Sequence, residues 1–302
     1  MRLINQKVEE LIQEPGLQGI CKQIELAGRT CYKSEDKITD DSAEAFVQRM
    51  IDSGHLAMLE HGTVYLKQQI YCNPDDNLEL SKYKDSKYST CFEYYFPNDG
   101  SKGIYVTTNY RVLVENNWLD DLQYLCEPTE FHEIRKTYRI ITDRGVTHEL
   151  VRHRVFSFAQ ESTRFCNYSK DKFGGELTFI VPEWLKDRLP SGSYKYNDTL
   201  WEKDGEPAFD ADIHNDRNLF LWDCARVEDY YNQLVNEFSW KAEEARQILP
   251  TAVKSEIIMT GFKSDWGDFL KLRAEESTGK VHPNMKDIAI KLAYEISNTG
   301  AM

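Results

Sequence analysis

Apolar residues at helical spacing alternate along this chain with short β-branched and aromatic runs, and two long polar stretches interrupt the alternation. Between Ser42 and Gly54, the side chains of Phe46, Val47, Met50 and Ile51 share one face of a predicted helix that Gly54 ends. Thr63 to Leu66 reads as a short strand. Tyr105 to Glu115 (YVTTNYRVLVE) and Lys136 to Thr142 (KTYRIIT) also read as strands. Gly145 to Arg154 predicts a helix with Val146, Leu150 and Val151 buried, and Arg152 and Arg154 diverge around its last turn. The following loop carries Gln160, Glu161, Ser162 and Arg164 back past them. A long helix is predicted from about Asn218 to Leu249, with Leu219, Trp222, Val227, Tyr230, Leu234 and Phe238 near one face and Pro250 as its stop. Ser264 is placed to cap a helix that turns Trp266, Phe269 and Leu270 inward. Met285, Ile288, Ala289, Leu292 and Ile296 make a last amphipathic helix.

The polar stretches have weak periodicity and several turn residues. They read as insertions over about 71–135 and about 183–216, within one α/β domain spanning residues 1–302. Neither an internal repeat nor a long linker argues for a second domain.

Composition narrows the class. A chain of 302 residues with 41% hydrophobic and 29% charged residues can bury a substantial core. A net charge of -13 argues against general nucleic-acid binding, which needs a basic face. No apolar run approaches a membrane span, and the acidic, amphipathic segment MRLINQKVEELIQEPG is unlike a signal peptide, so a cytoplasmic location is expected. The seven cysteines include no CxxC pair, which indicates neither a disulfide framework nor a zinc knuckle. Cys166 has no evident base, and His55 and His61 lack ligand spacing, so neither a catalytic thiol nor a metal is expected.

Against that acidic background, Arg152-His153-Arg154 is followed after seven residues by Ser162, and then by Arg164. Guanidinium forks match phosphate oxygens and stay charged at physiological pH, so the cluster points to a small anion held in a cleft. The bland reading is a helix end whose arginines meet solvent and surface carboxylates.

The RHR-x7-S pattern from Arg152 to Ser162 resembles the signature of flavin-dependent thymidylate synthases. Four more segments resemble that family in the family's order: ELAGRTCYKS (25–34), GHLAMLEHGTVYL (54–66), EEARQILP (243–250) and FLKLRAE (269–275). The resemblance implies an α/β fold with a central, mostly antiparallel sheet flanked by helices. It implies conversion of deoxyuridylate (dUMP) to thymidylate (dTMP), with methylenetetrahydrofolate as the one-carbon donor and NADPH as reductant through FAD. On the matching positions, Glu149, Arg152, Gln160, Glu161, Ser162, Arg164, Arg246 and Arg273 would contact dUMP, and Arg273 would promote ionisation of the uracil N3. His61, Thr63, Arg152, His153, Arg154, Gln160 and Asp268 would contact FAD. A homotetramer with FAD sites shared between subunits is implied as well. Ser162 reads better as a substrate contact than as a nucleophile, because no base is aimed at it. For His61 the residues alone favour a satisfied core histidine.

The chain departs from the family in places. Glu149 stands where many relatives carry Gln, and a carboxylate accepts hydrogen bonds but cannot donate them. Phe262, Ser264 and Asp268 stand where Asn, Arg and Asn are common near FAD, with Lys263 as a substitute cation. Those changes raise an alternative, a nucleotide-binding homologue that has lost flavin-dependent catalysis. A third reading, an RNA-binding or ribonuclease-like protein, conflicts with the acidic balance.

Overall fold

The computed structural model describes residues 1–71 and 79–299; residues 72–78, inside the first predicted insertion, lie outside them. Strands β1 (Arg2–Ile4) and β2 (Lys7–Glu10) precede helix α1 (Gly16–Tyr32). Lys33 ends α1 in the left-handed region, at φ 47°. Helix α2 (Ser42–Asp52) buries Phe46 and Val47 as its spacing predicts, and Gly54 follows at φ +70°. Strand β3 (Thr63–Tyr71) pairs with β5 (Ser101–Asn109), and β4 (Thr90–Phe96) adds to the far edge of β5.

The run YVTTNYRVLVE is not one strand. Asn109 ends β5, and its side chain accepts the Val112 N–H at 3.2 Å, starting helix α3 (Tyr110–Asn116). A side-chain cap there outweighs the β propensity of the valines that follow.

Strand β6 (Arg135–Asp143) leads into helix α4 (Arg144–Leu150), capped by Asp143 accepting from Val146 N–H at 2.8 Å. The helix ends four residues earlier than its pattern predicts, so Val151 is exposed rather than buried. Gln160 closes strand β7 (Ser157–Gln160) rather than lying in a loop. After β8 (Thr178–Ile180), the second polar stretch folds into an antiparallel meander of β9 (Gly192–Asn197), β10 (Leu200–Lys203) and β11 (Glu206–Asp210).

The predicted long helix is broken. Helix α5 (Asp216–Asn236) stops before Ser239, which takes a left-handed φ of 59°, and α6 (Ala242–Ala245) is a single turn beyond it. The buried stripe of α5 runs through Leu221, Cys224 and Tyr231, while Leu219, Tyr230 and Phe238 face outward. Strand β12 (Lys254–Phe262) runs into α7 (Lys263–Arg273), and α8 (Pro283–Thr299) closes the fold. Asp265, not Ser264, caps α7, accepting the Phe262 N–H at 3.3 Å. On α8, Met285, Ile288, Ala289 and Leu292 are buried as predicted.

Antiparallel pairing dominates and helices flank the strands, as expected, but the strands form three sheets rather than one central sheet. Their orders are β11-β10-β9-β1-β8, β2-β6-β12-β7 and β3-β5-β4. The second sheet positions the candidate site. Asp143 at the end of β6 lies opposite Lys254 at the start of β12, so α4 and α7 leave the sheet from opposite ends. Val146, Leu150, Trp266 and Phe269 pack in one core cluster, so both helices run back over the same face. Their C-terminal ends therefore converge.

Candidate active site

At that convergence the Arg273 guanidinium meets two residues from the end of α4. Its Nε donates to His153 Nε2 at 3.0 Å and its Nη1 to Glu149 Oε2 at 3.1 Å. The His153 ring also meets Phe269 edge-on, with centroids 4.8 Å apart. Burial, and then the charge of Arg273, hold the imidazole pKa below its ordinary 6.5. An imidazole nitrogen that accepts from a guanidinium is unprotonated, so the ring is neutral with its proton on Nδ1. Arg273 closes α7, where the helix dipole favours a cation. Its guanidinium is thus aimed by a carboxylate and a ring lone pair, and that ring is itself packed against Phe269.

The arginines of the motif are arranged differently. Arg152 and Arg154 are exposed on the turn after α4, and among the described residues no hydrogen bond or ion pair engages either side chain. Arg246, also exposed, follows α6 and is equally unengaged among the described residues. Arg164 is exposed, pairs with Glu243 at 3.0 Å and lies 5.2 Å from the Phe165 ring. Ser162 donates its N–H to the Cys31 carbonyl at 2.9 Å, and its hydroxyl accepts the Arg164 N–H at 3.3 Å. No base is bonded to that hydroxyl among the described residues. The Gln160 amide donates to Thr147 and Ser255 hydroxyls, each at 2.9 Å. The Glu161 carboxylate turns inward to Tyr168 and Lys254. The thiol of Cys166 is buried, and desolvation followed by Glu161 pushes its pKa up to about 12, the reverse of an activated nucleophile.

A cleft of about 710 Å³ opens beside the motif, lined among others by Arg154, Val155, Phe156, Arg135, Phe262 and Ser264. Sequence reasoning missed Arg135. It stands directly across the ladder from Phe262, its guanidinium lies 5.5 Å from that ring and donates through both Nη atoms to the Glu60 carbonyl at 3.2 Å, and its buried Nε has no partner among the described residues. Arg154, Arg135, Arg111 and Lys87 share this cleft with Glu60, Glu115, Glu133 and Asp265, so its lining carries both signs of charge. The family-like positions behind the cleft are interior: His61 is fully buried, its Nδ1 2.8 Å from the Thr260 hydroxyl. Desolvation, then Arg135, lowers its pKa to about 3, so His61 is neutral. Thr63 exchanges main-chain hydrogen bonds with the Gln13 amide, and its hydroxyl lies 3.4 Å from Arg135 Nη1. Ser264 bonds Glu133, and Asp268, exposed on α7, pairs with Lys271 at 2.9 Å.

The family model described as thymidylate synthase complementing protein matches residues 115–298, a stretch that holds Glu149, the whole RHR-x7-S motif, Arg246 and Arg273. The chain belongs to this family. Among similar members of the thymidylate synthase complementing family is the flavin-dependent thymidylate synthase of Corynebacterium efficiens, 32% identical over 147 residues, which cover 44% of this chain and 46% of that one. The protein of the same name from Corynebacterium diphtheriae is 24% identical over 271 residues, covering 84% and 66%. The chain thus spans about half to just under two thirds of the length of these family members. A solved UMP/dUMP methylase, PolB from Streptomyces cacaoi, aligns over 99% of this chain and 93% of its own at 16% identity, with a TM-score of 0.43.

Proposed function

We propose that this chain is a cytoplasmic flavin-dependent thymidylate synthase, which methylates dUMP reductively to dTMP with methylenetetrahydrofolate and NADPH. The observation that carries this reading is the meeting of Arg273 with His153 and Glu149, residues 120 and 124 positions away in sequence, at the end of the RHR helix. In this reading Arg152, Arg164 and Arg246 hold the anionic nucleotide, and Gln160 to Ser162 shape its seat. Arg273 stabilises the negative charge that develops on the uracil ring as N3 loses its proton. Neutral His153 keeps the guanidinium aimed by accepting from Nε. Glu149 is an acceptor only, and suits a base whose N3 carries a proton.

FAD supplies the hydride chemistry when bound. Arg154, whose guanidinium is unengaged among the described residues, and Arg135 would hold it at the cleft, with Arg152, His153 and Gln160 as its contacts beside the nucleotide. His61 and Thr63 stand behind Arg135, with the Thr63 hydroxyl 3.4 Å from its Nη1, and Asp268 on α7 is the remaining member of the proposed set. One domain over residues 1–302 carries the site, and the insertions extend sheets rather than stand apart, since β9 pairs with β1 and β5 with β3. Exposed Val155, Phe165, Phe238 and Trp240 are consistent with a homotetramer whose FAD sites lie between subunits. Among the described residues no helix is long and apolar enough to cross a membrane.

The local pairing of Ser264 with Glu133 and of Asp268 with Lys271 favours the alternative, a nucleotide-binding homologue without flavin catalysis. Incubating the protein with dUMP, methylenetetrahydrofolate, NADPH and FAD, with dTMP followed chromatographically, separates the two. Product that depends on all four supports the synthase; bound nucleotide with no product supports the alternative.

A further inference from the structure

A second set of ionisable side chains packs behind the Gln160–Ser162 turn, and of its members only Glu161 belongs to the reading above. Glu161 is almost fully buried, yet its carboxylate is ion-paired to Lys254 at 2.6 Å and accepts from the Tyr168 hydroxyl at 2.9 Å. Lys254 lies 3.5 Å from Glu256, which also meets Lys33 at 2.8 Å and Arg139 at 3.1 Å. Lys33 reaches Glu35 at 2.8 Å. Three carboxylates therefore face three cations, the balance under which buried charge is tolerated. Burial by itself raises the Glu256 pKa, but Lys33, Lys254 and Arg139 outweigh it and the net shift is downward.

The network ties separate parts of the fold to one turn. Lys33 ends α1, Arg139 lies on β6, and Lys254 and Glu256 open β12. Main-chain bonds reinforce it: Glu161 N–H donates to the Glu256 carbonyl at 2.8 Å, and Ser162 N–H to Cys31 at 2.9 Å. Of the residues that follow, Ser162 is half-buried, Thr163 is buried and Arg164 is exposed.

We propose that Lys254 is a positioning residue for nucleotide binding, which through Glu161 holds the Ser162–Arg164 turn in the geometry that receives dUMP. The inference rests on the synthase reading, in which that turn contacts the nucleotide. The Lys254 ammonium group is engaged by the Glu161 and Glu256 carboxylates, at 2.6 and 3.5 Å. Its effect is confined to the nucleotide side, because the FAD cleft is built by other residues.

The test compares the full-length wild type with Lys254→Met and Lys254→Arg, at a temperature where all are folded. It reads dUMP affinity calorimetrically, FAD affinity by flavin absorbance, and KM against kcat. Lys254→Met is expected to weaken dUMP binding and raise its KM by about tenfold or more, with FAD affinity unchanged, and Lys254→Arg to restore most of the loss. Glu161→Gln keeps the side-chain shape and removes the ion pair; it is expected to act as Lys254→Met does and serves where that variant does not fold. A folded Lys254→Met or Glu161→Gln with wild-type dUMP affinity overturns the proposal, as does a parallel loss of FAD and dUMP affinity. A wild type that binds no dUMP overturns the synthase reading itself, and this inference with it.

Discussion

Two bonds from one guanidinium, to a carboxylate and to a neutral ring nitrogen, give Arg273 a fixed direction that a solvent-exposed arginine lacks. Removing it should cost what losing a preorganised charge donor costs, a fall in kcat of about 10²-fold or more. Arg273→Ala is therefore expected to lose dTMP formation in the coupled assay while still binding FAD; wild-type turnover would remove Arg273 from the mechanism. His153 should titrate below its ordinary 6.5 by NMR, and Arg273→Met should move it back toward that value by deleting a nearby positive charge. Because the folded pKa is the lower one, the native state holds fewer protons, and this histidine costs stability as pH falls from 6.5 through its folded pKa. Much of this was legible, since Arg152, His153, Arg154 and Arg273 sit in recognisable segments. The inward turn of Glu161 was not. Ser157 and Ala159 on β7, and Glu161 just past its end, continue one buried alternation, but the partner that makes a carboxylate acceptable there, Lys254, is 93 residues away.

Elements were legible where one strong periodicity ran without a local competitor. Helices α2 and α8 follow their apolar stripes. Helix α3 was hidden because its valines look like a strand and only the Asn109 cap says otherwise, and the break after α5 was hidden because Ser239 carries no signal for a left-handed residue. Caps also give a direct test. Asn215 caps α5 by accepting the Asn218 N–H at 2.8 Å. Asn215→Ala should destabilise the fold by about 1 kcal/mol in denaturant unfolding, and an unchanged unfolding midpoint would remove the cap from the stability of α5. The convergence of α4 and α7 could not be read from sequence, since it depends on the antiparallel register of β6 and β12.

At the scale of the whole molecule, a strongly acidic chain keeps a charge-balanced network in its interior, where three carboxylates and three cations tie α1, β6 and β12 to the turn carrying Ser162. Glu256 anchors it, with a folded pKa below the ordinary 4.5. A depressed carboxylate pKa contributes stability that is complete above the unfolded value and lost as pH falls through the folded one. Melting temperature should therefore drop as pH is lowered from about 4.5, and Glu256→Gln should flatten that dependence while lowering stability at pH 7. An unchanged acid slope in the variant would take Glu256 out of the network's pH response. The most direct test of the synthase account is a flavin titration of the purified protein, by absorbance and fluorescence, with and without dUMP. The account predicts saturable FAD binding and a change in the flavin spectrum when dUMP is added, because both ligands meet at His153 and Arg273. Saturable dUMP binding with no flavin binding would contradict it.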